Sequence, residues 1–435
     1  MPTIRGAHRL NSVPREASPA GRSWDAYLPP RPNRARRTFN WGAVLVVAVA
    51  LPFLFTGPFA ISVLTQICIA ITFALAYNML LGGTGLLSFG HALYFGIGAY
   101  ATAHFLNAYG AAVPVVLVPV VGGVAALVVG AGVALFTVRS GKVIFAMISL
   151  AVGQLAFSAA TIMTGFSGGD EGIRIDPTRA AGWGIDFGSP LNVYLLVAVW
   201  TWCAALAMYA LTFTPLGRLM NATRDNPERM DFVGFNPVFI RGLALTLSAG
   251  FAGIAGSLYA LGFQVVTLDT LSLTQSTVGL VHAYVGGYTS FFGPVLGALL
   301  FTLATAYLSP LTDAWPLYLG VFFVTVTISW RYGLTGGFMD LMRIAPNAWR
   351  QRGAAYVVRC TVPVVLGALA TCAGFILLIE MIQSLNANMG TPLRLAFLPG
   401  SYSADPRTAM PWLVSIALLA AGFALLYLRR RAARQ

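Results

Sequence analysis

Four histidines, His8, His91, His104 and His282, are the side chains best suited to moving protons near neutral pH. None stands at a recognisable spacing from a plausible nucleophile, and neither a G-x-S-x-G elbow nor an H-E-x-x-H helix occurs. A phosphate-binding loop needs G-x-x-x-x-G-K-[ST]. The single lysine reads Gly141-Lys142-Val143, so that loop is absent and any ATP driving this protein must be handled by another subunit. Cys68, Cys203, Cys360 and Cys372 each sit inside an apolar run, without C-x-x-C pairing or an accompanying His cluster. They read as small core residues rather than metal ligands or a redox pair. The expected chain makes no covalent bond and holds no metal or cofactor.

Two other patterns carry the information. One is the polar segment 213–236, in which Arg218, Arg224, Asp225, Glu228, Arg229 and Asp231 are interleaved with Leu219, Met220, Met230, Phe232 and Val233. Pro215 opens it, Asn226-Pro227 punctuates it, and Gly234 with Pro237 ends it, which predicts two short helical pieces rather than one. Short amphipathic helices of this kind lie along a membrane or dock in a partner's groove. The mixed charge signs favour a protein groove, because an anionic lipid surface selects basic residues alone.

The other pattern is glycine. Gly82-Gly83-Thr84-Gly85 precedes Ser88, Gly90 and His91, and Gly286-Gly287-Tyr288-Thr289 precedes Gly293-Pro294. Broken helices in corresponding halves expose backbone groups at mid-membrane depth in transporters, and the two breaks suggest an inverted repeat. Close helix packing through glycine is the competing reading. Ala249 with Gly253 and Ala252 with Gly256 are small-xxx-small pairs, read as packing only.

These elements must be held by a membrane fold. Of 435 residues, 57% are hydrophobic and 9% charged. Counting Gly and leaving out Tyr raises the apolar share to roughly 64%, against about 45–50% apolar and about 25% charged in soluble domains. So few charges cannot cover a soluble protein of this length. Disorder, a secreted disulfide scaffold and an ordinary cytosolic enzyme are excluded. Continuous apolar runs, rather than alternating ten-residue strands, exclude an outer-membrane barrel. The expected class is an all-α polytopic membrane protein.

Ten apolar spans are expected near 41–57, 60–81, 91–109, 112–136, 142–164, 190–212, 237–262, 276–289, 295–309 and 315–330, with two more near 356–383 and 411–428. The net charge of +13 lies mostly in Arg-rich segments between spans, as the positive-inside bias requires, and not in a nucleic-acid patch. Arg139 with Lys142, the 218–241 arginines and the 331–359 arginines mark cytoplasmic loops. The loop 165–189, holding Asp170, Glu171, Asp176 and Asp186, is external. Counting crossings from an internal N-terminus satisfies all four assignments, and the Arg-rich end near Arg429–Arg431 puts both termini in the cytoplasm. The expected divisions are a disordered basic cytoplasmic tail over 1–40, a core over 41–335, and an accessory C-terminal region with two spans over 336–435. Ion-coupled transport needs ionisable groups inside the spans, and these are scarce. Asp269 and Asp313 lie at loop edges and Glu380 near the end of an accessory span. His91 and His282 are the best intramembrane candidates, and interhelical hydrogen bonding outweighs a proton-relay role for each.

The run Leu80–Tyr100 (LLGGTGLLSFGHALYFGIGAY) resembles the hallmark of bacterial branched-chain amino-acid ABC importer permeases, and within them the LivM-like subunit. Phe145–Ala151 resembles the family's segment after a basic loop, and Gly168-Gly169-Asp170-Glu171-Gly172 its external Gly-Gly-x-Asp-Gly motif, with Glu171 where Asp is usual. Gly217–Asn226 resembles its cytoplasmic coupling segment, and Gly286-Gly287 with Phe292-Gly293-Pro294 its late signature. The resemblance covers about residues 42–340.

It implies a heterodimer with a second permease, two ATPase subunits docked below, and a periplasmic substrate-binding protein. The site residues follow by position. Gly217, Arg218, Arg224, Asp225, Asn226, Glu228 and Gly234 would form the coupling segment in an ATPase groove. Asn78, Gly82, Gly83, Thr84, Ser88 and His91 would lie near the translocation path. Gly168, Gly169, Asp170 and Glu171 would face the binding protein. The implied location is the bacterial inner membrane, and the implied cargo is a branched-chain amino acid as the family default, with urea, short amides and aromatic acids, which similar permeases carry, as the alternatives. The long basic N-terminal tail and the two extra C-terminal spans depart from the family and inherit nothing from it. The rival readings are an ion-coupled secondary transporter or channel acting alone, and a structural membrane subunit without a path.

Overall fold

The computed structural model describes residues 34–55, 57–110, 113–176, 187–312, 314–329, 333–336, 373–379, 381–382, 393–394, 403–404 and 408–432. Expectations for residues 1–33, most of the third basic loop and most of the first accessory span lie outside these residues. Met1–Val47 form one compact unit and Ala48–Gln435 a second. The described part of the first is the opening stretch of helix α1 (Arg34–Leu54), which begins within the expected tail rather than after residue 40. All that follows concerns the second unit.

Its helices are α2 (Pro58–Thr84), α3 (Ala92–Tyr109), α4 (Val118–Thr137, entered by a 3-10 turn Val115–Leu117), α5 (Lys142–Ile162), α6 (Thr164–Ser167), α7 (Pro190–Phe213), α8 (Pro215–Asp225), α9 (Pro227–Phe232), α10 (Pro237–Phe263), α11 (Leu273–Gly286), α12 (Gly293–Leu308), α13 (Trp315–Ser329) and α14 (Ala409–Ala432). Pro at the first position of α2, α7, α8, α9 and α10 supplies a helical φ where no N–H is needed. Among the described residues, five helices are long and apolar enough to cross a membrane: α2, α4 with its 3-10 turn, α5, α7 and α10. The chain is an all-α polytopic membrane protein. α11, α12 and α13 are shorter, at 14, 16 and 15 residues.

Two short ribbons are the strands present among the described residues. In one, β1 (Ile173–Arg174) pairs antiparallel with β2 (Val265–Val266) just beyond α10. The Ile175 N–H adds a bond to the Gln264 carbonyl, 2.8 Å away. This ribbon fastens the 168–176 segment to one end of the bundle, and α8 and α9 lie at the other end of α10. Beyond α13, Leu393–Arg394 pairs with Ser403–Ala404.

The centre of the second unit is the α3–α4–α10 contact, and glycine explains it. A Cβ on Gly253 would overlap the Gly122 carbonyl and the Ala126 side chain, and one on Gly256 would overlap the Phe95 carbonyl. Gly98 meets Gly253 in the same way. Backbones can approach this closely only where side chains are missing, which is how helices associate when lipid removes the hydrophobic incentive. The small-xxx-small pairs of α10 are therefore packing surfaces. Hydroxyls tie the contact laterally: Thr102 Oγ1 donates to Ser257 Oγ at 2.8 Å, and Ser257 donates to the Gly253 carbonyl at 3.0 Å. Cys203 departs from expectation, because it is exposed on the bundle exterior instead of sitting in the core.

Gly253→Leu should lower the thermal unfolding midpoint of the purified protein sharply, since overpacking a fitted interface costs about 1–3 kcal/mol or more. Gly132→Ala, where an added Cβ meets nothing within 4 Å, should leave that midpoint unchanged or raised.

Candidate functional site

The two glycine pairs fold differently. α2 runs through Gly82 and Gly83 without interruption and ends at Gly85, whose φ of 70° is the left-handed cap conformation. Its N–H bonds the Leu81 carbonyl at 2.9 Å. The early break therefore lies two residues later than the Gly-Gly pair. The late break lies at the pair itself: α11 stops at Gly286, and Gly287 takes a φ of 111°. Gly286, Gly293 and Gly297 also let α11 and α12 touch, because a Cβ at any of them would overlap backbone of the facing arm of the helical hairpin. Helix termination at glycine and close packing through glycine thus both occur, at different positions.

The early and late breaks converge. A Cβ at Gly82 would lie 2.5 Å from the Tyr288 carbonyl oxygen and 2.7 Å from Asn78 Oδ1. Beside this contact is a cavity of about 290 Å³. α2 contributes Asn78, Gly82 and Gly83, the late loop contributes Tyr288 and Ser290, and α8 contributes Arg224. Tyr209 of α7 completes an aromatic side with Phe291, their ring centroids 5.0 Å apart. Asn78 is buried, and its Oδ1 accepts no hydrogen bond among the described residues.

The polar segment forms two helices, as its punctuation predicts. Thr214 caps α8 by accepting from the Gly217 N–H at 3.3 Å, and Asn226 caps α9 by accepting from the Arg229 N–H at 3.0 Å. The Asn226 side chain is thereby committed to its own backbone. Gly217 is buried where a Cβ would strike the Leu211 carbonyl, and Gly234 turns the chain toward α10 with a φ of 90°.

Arg224 faces inward. Its Nη1 donates to the Gly82 carbonyl at 2.6 Å, while Nε pairs with the exposed Asp225 carboxylate at 3.1 Å. Lys142 Nζ lies 3.5 Å from the Arg224 carbonyl. Two cations thus meet the C-terminal ends of α2 and α8, where the helix dipoles place partial negative charge. Arg218, Asp225 and Glu228 are exposed. So are Phe232, at 90% relative exposure, and Val233, at 72%. Spacing alone gave no sign that Arg224 turns inward or that Tyr288, Ser290 and Lys142 join the site.

The other expected path residues do not line this cavity. Thr84 is fully buried and donates to the Leu80 carbonyl at 2.8 Å, and the Ser88 carbonyl accepts from Tyr77 at 2.9 Å. His91 is enclosed by Phe73, Tyr77 and Tyr94. Ser248 gives its one hydroxyl proton to the Ala76 carbonyl at 2.6 Å, so at 3.2 Å it accepts from His91 Nε2–H. His91 thus ties the start of α3 to α10 and α2. On the ribbon side, Gly168 and Gly169 hold left-handed φ values of 75° and 64°, and Asp170 and Glu171 project outward, exposed.

The family described as "Branched-chain amino acid transport system / permease component" matches residues 59–339, which hold both glycine breaks, α8 and α9. The chain belongs to that family. It is 28% identical over 311 residues to the high-affinity branched-chain amino acid transport system permease protein LivM of Salmonella typhimurium, covering 66% of this chain and 72% of the relative. It is 29% identical over 336 residues to LivM of Escherichia coli K12, covering 72% and 77%. No solved structure matches the chain. As a permease component it is a multi-pass membrane transport subunit.

Gly82→Ala should destabilise the protein by about 1–3 kcal/mol, because its Cβ has no room beside Tyr288 and Asn78. Gly83→Ala, whose Cβ would meet only Met220 at 3.7 Å, should be neutral or stabilising. Thermal unfolding of the two variants side by side checks this.

Proposed function

We propose that this protein is the membrane-spanning permease subunit of an ATP-driven importer that carries branched-chain amino acids, or a related small metabolite, into the cytoplasm. A second permease completes the pathway, two ATPase subunits supply the energy, and a periplasmic binding protein delivers the cargo. The chain sits in the bacterial inner membrane with both termini cytoplasmic. The permease core spans 41–335, with the 336–435 region accessory to it. Family membership and the missing P-loop support the division of labour.

One observation carries the mechanism. α8 and α9 present exposed Phe232 and Val233 on the outside, while Arg224 grips the end of α2 on the inside. The exposed side, with Arg218, Asp225 and Glu228, docks in the ATPase groove. Closure of the ATPases on nucleotide moves α8 as a lever. The Arg224–Gly82 hydrogen bond passes that motion to α2, at the point where α2 touches the late glycine break. Asn78, Gly82 and Gly83 then border the opening or closing inner cavity, with Thr84, Ser88 and His91 holding the junction behind them. A switch of this kind is a two-state equilibrium biased by nucleotide and by the loaded binding protein. Gly168, Gly169, Asp170 and Glu171 face that protein on the far side.

The two faces of α8–α9 separate by mutation. Phe232→Asp should weaken retention of the ATPases in a pull-down of the tagged chain at least about tenfold, the worth of one well-buried apolar contact. Arg224→Ala should retain the ATPases while ATP-dependent uptake into proteoliposomes falls at least about tenfold, the worth of one charge-assisted hydrogen bond. Full-speed uptake of a branched-chain amino acid by vesicles lacking ATPases would refute the importer reading.

A further inference from the structure

A second cavity, of about 170 Å³, lies toward the ribbon end of the bundle. α2 faces it with Gln66, Ile69, Ala70 and Phe73, a helical i, i+3, i+4, i+7 stripe. The inner cavity uses Leu75, Asn78, Met79 and Gly82, the same stripe shifted by nine residues. At 3.6 residues per turn that shift is two and a half turns, so the cavities open on opposite faces of α2. The second cavity is a separate site.

Its polar groups are what a ligand would need. His282 of α11 is 2% exposed, lines the cavity, and has neither ring nitrogen hydrogen-bonded among the described residues. Its ring stands edge-on to Phe301, centroids 5.2 Å apart, which fixes its position without using either nitrogen. A buried polar group without a partner costs about 1–3 kcal/mol, so an empty cavity leaves a cost that a hydrogen-bonding ligand removes. Gln275 and Thr302 add neutral hydrogen-bonding side chains, and Tyr259 and Trp315 add aromatic walls. Among the described residues the lining contains no Asp, Glu, Lys or Arg. The volume is close to the roughly 150 Å³ of an engineered apolar cavity that takes up benzene.

We infer that this cavity binds a small solute without net charge, seating one branched or aromatic apolar group against the aromatic walls and hydrogen-bonding His282. Building on the importer reading, the natural occupant is the transported amino acid itself, on the side of α2 away from the ATPase-facing cavity, its carboxylate accepting from a His282 ring N–H and its ammonium donating to the Gln275 amide oxygen at the partly exposed rim, so that neither charge is buried without a partner. His282 and Gln275 set its orientation.

The test uses the full chain in detergent and the reconstituted transporter complex, with L-leucine, L-phenylalanine and benzamide as probes and added phospholipid as the competing occupant. Leucine or another probe should raise the unfolding temperature of the wild-type chain. His282→Phe, which keeps the ring on Phe301 and removes both nitrogens, should weaken that probe's binding about tenfold, and His282→Asn should recover part of the loss. Gln275→Leu, at the partly exposed rim, serves if the His282 variants fail to fold, and should weaken binding in the same direction. Equal binding by wild type and variants, binding of no probe, or stabilisation by phospholipid alone would overturn the site. If the complex takes up no branched-chain amino acid while a probe still binds through His282, the cargo assignment falls and the site stands. If uptake proceeds while the variants bind leucine as wild type does, the site falls and the importer reading stands.

Discussion

The hydrocarbon interior offers no hydrogen-bond partner to a peptide group, and this constraint shapes every part of the protein. It makes the spans helical and confines irregular backbone to places sealed by protein. Gly287, where α11 stops, is buried among neighbouring elements, and at the half-buried Gly85, where α2 stops, the nearby carbonyl of Gly82 is taken by a guanidinium. The same constraint governs hydroxyls. Among the described residues of the bundle, Thr65, Thr72, Thr84, Thr137, Thr246 and Thr305 each return their proton to a carbonyl four residues back on their own helix. Ser248 does so across helices.

With these hydroxyls satisfied locally, helix association falls to shape. Glycine and alanine on α10 let α3 and α4 come within backbone contact, and α11 and α12 close on each other through Gly286, Gly293 and Gly297. α8 meets the end of α2 through a single charge-assisted hydrogen bond, from Arg224 to the Gly82 carbonyl. The polar segment is consequently two-sided: its outer side is unfinished, with a phenylalanine in the open, and its inner side is finished.

Much of this was legible in the sequence. Composition dictates a helical membrane protein, and the spans and the two-piece polar segment follow from apolar runs, proline and Asn226-Pro227. Family motifs point to the permease class that the comparisons establish. The site was only partly legible. Asn78, Gly82, Gly83, Gly217 and Arg224 do share one cavity. Thr84, Ser88 and His91 do not line it, because motif membership reports proximity along the chain and not which way a side chain points. Arg224 read as a surface charge for a partner, since any arginine in an amphipathic helix does. Its inward turn depends on the end of α2, well over a hundred positions away in sequence.

Local chemistry is what the sequence by itself determined: lipid-compatible helices, their starts at proline, their stops at glycine, and the absence of catalytic and nucleotide-binding motifs. Those outcomes follow from interactions within a few residues or from composition, so they can be read without a fold. Only the tertiary structure decided that one Gly-Gly pair continues a helix while the other breaks it. It alone set Arg224 on Gly82, and left His282 facing a cavity with both nitrogens unused. Each of these depends on which distant backbone arrives at the same point, and that is fixed by helix packing.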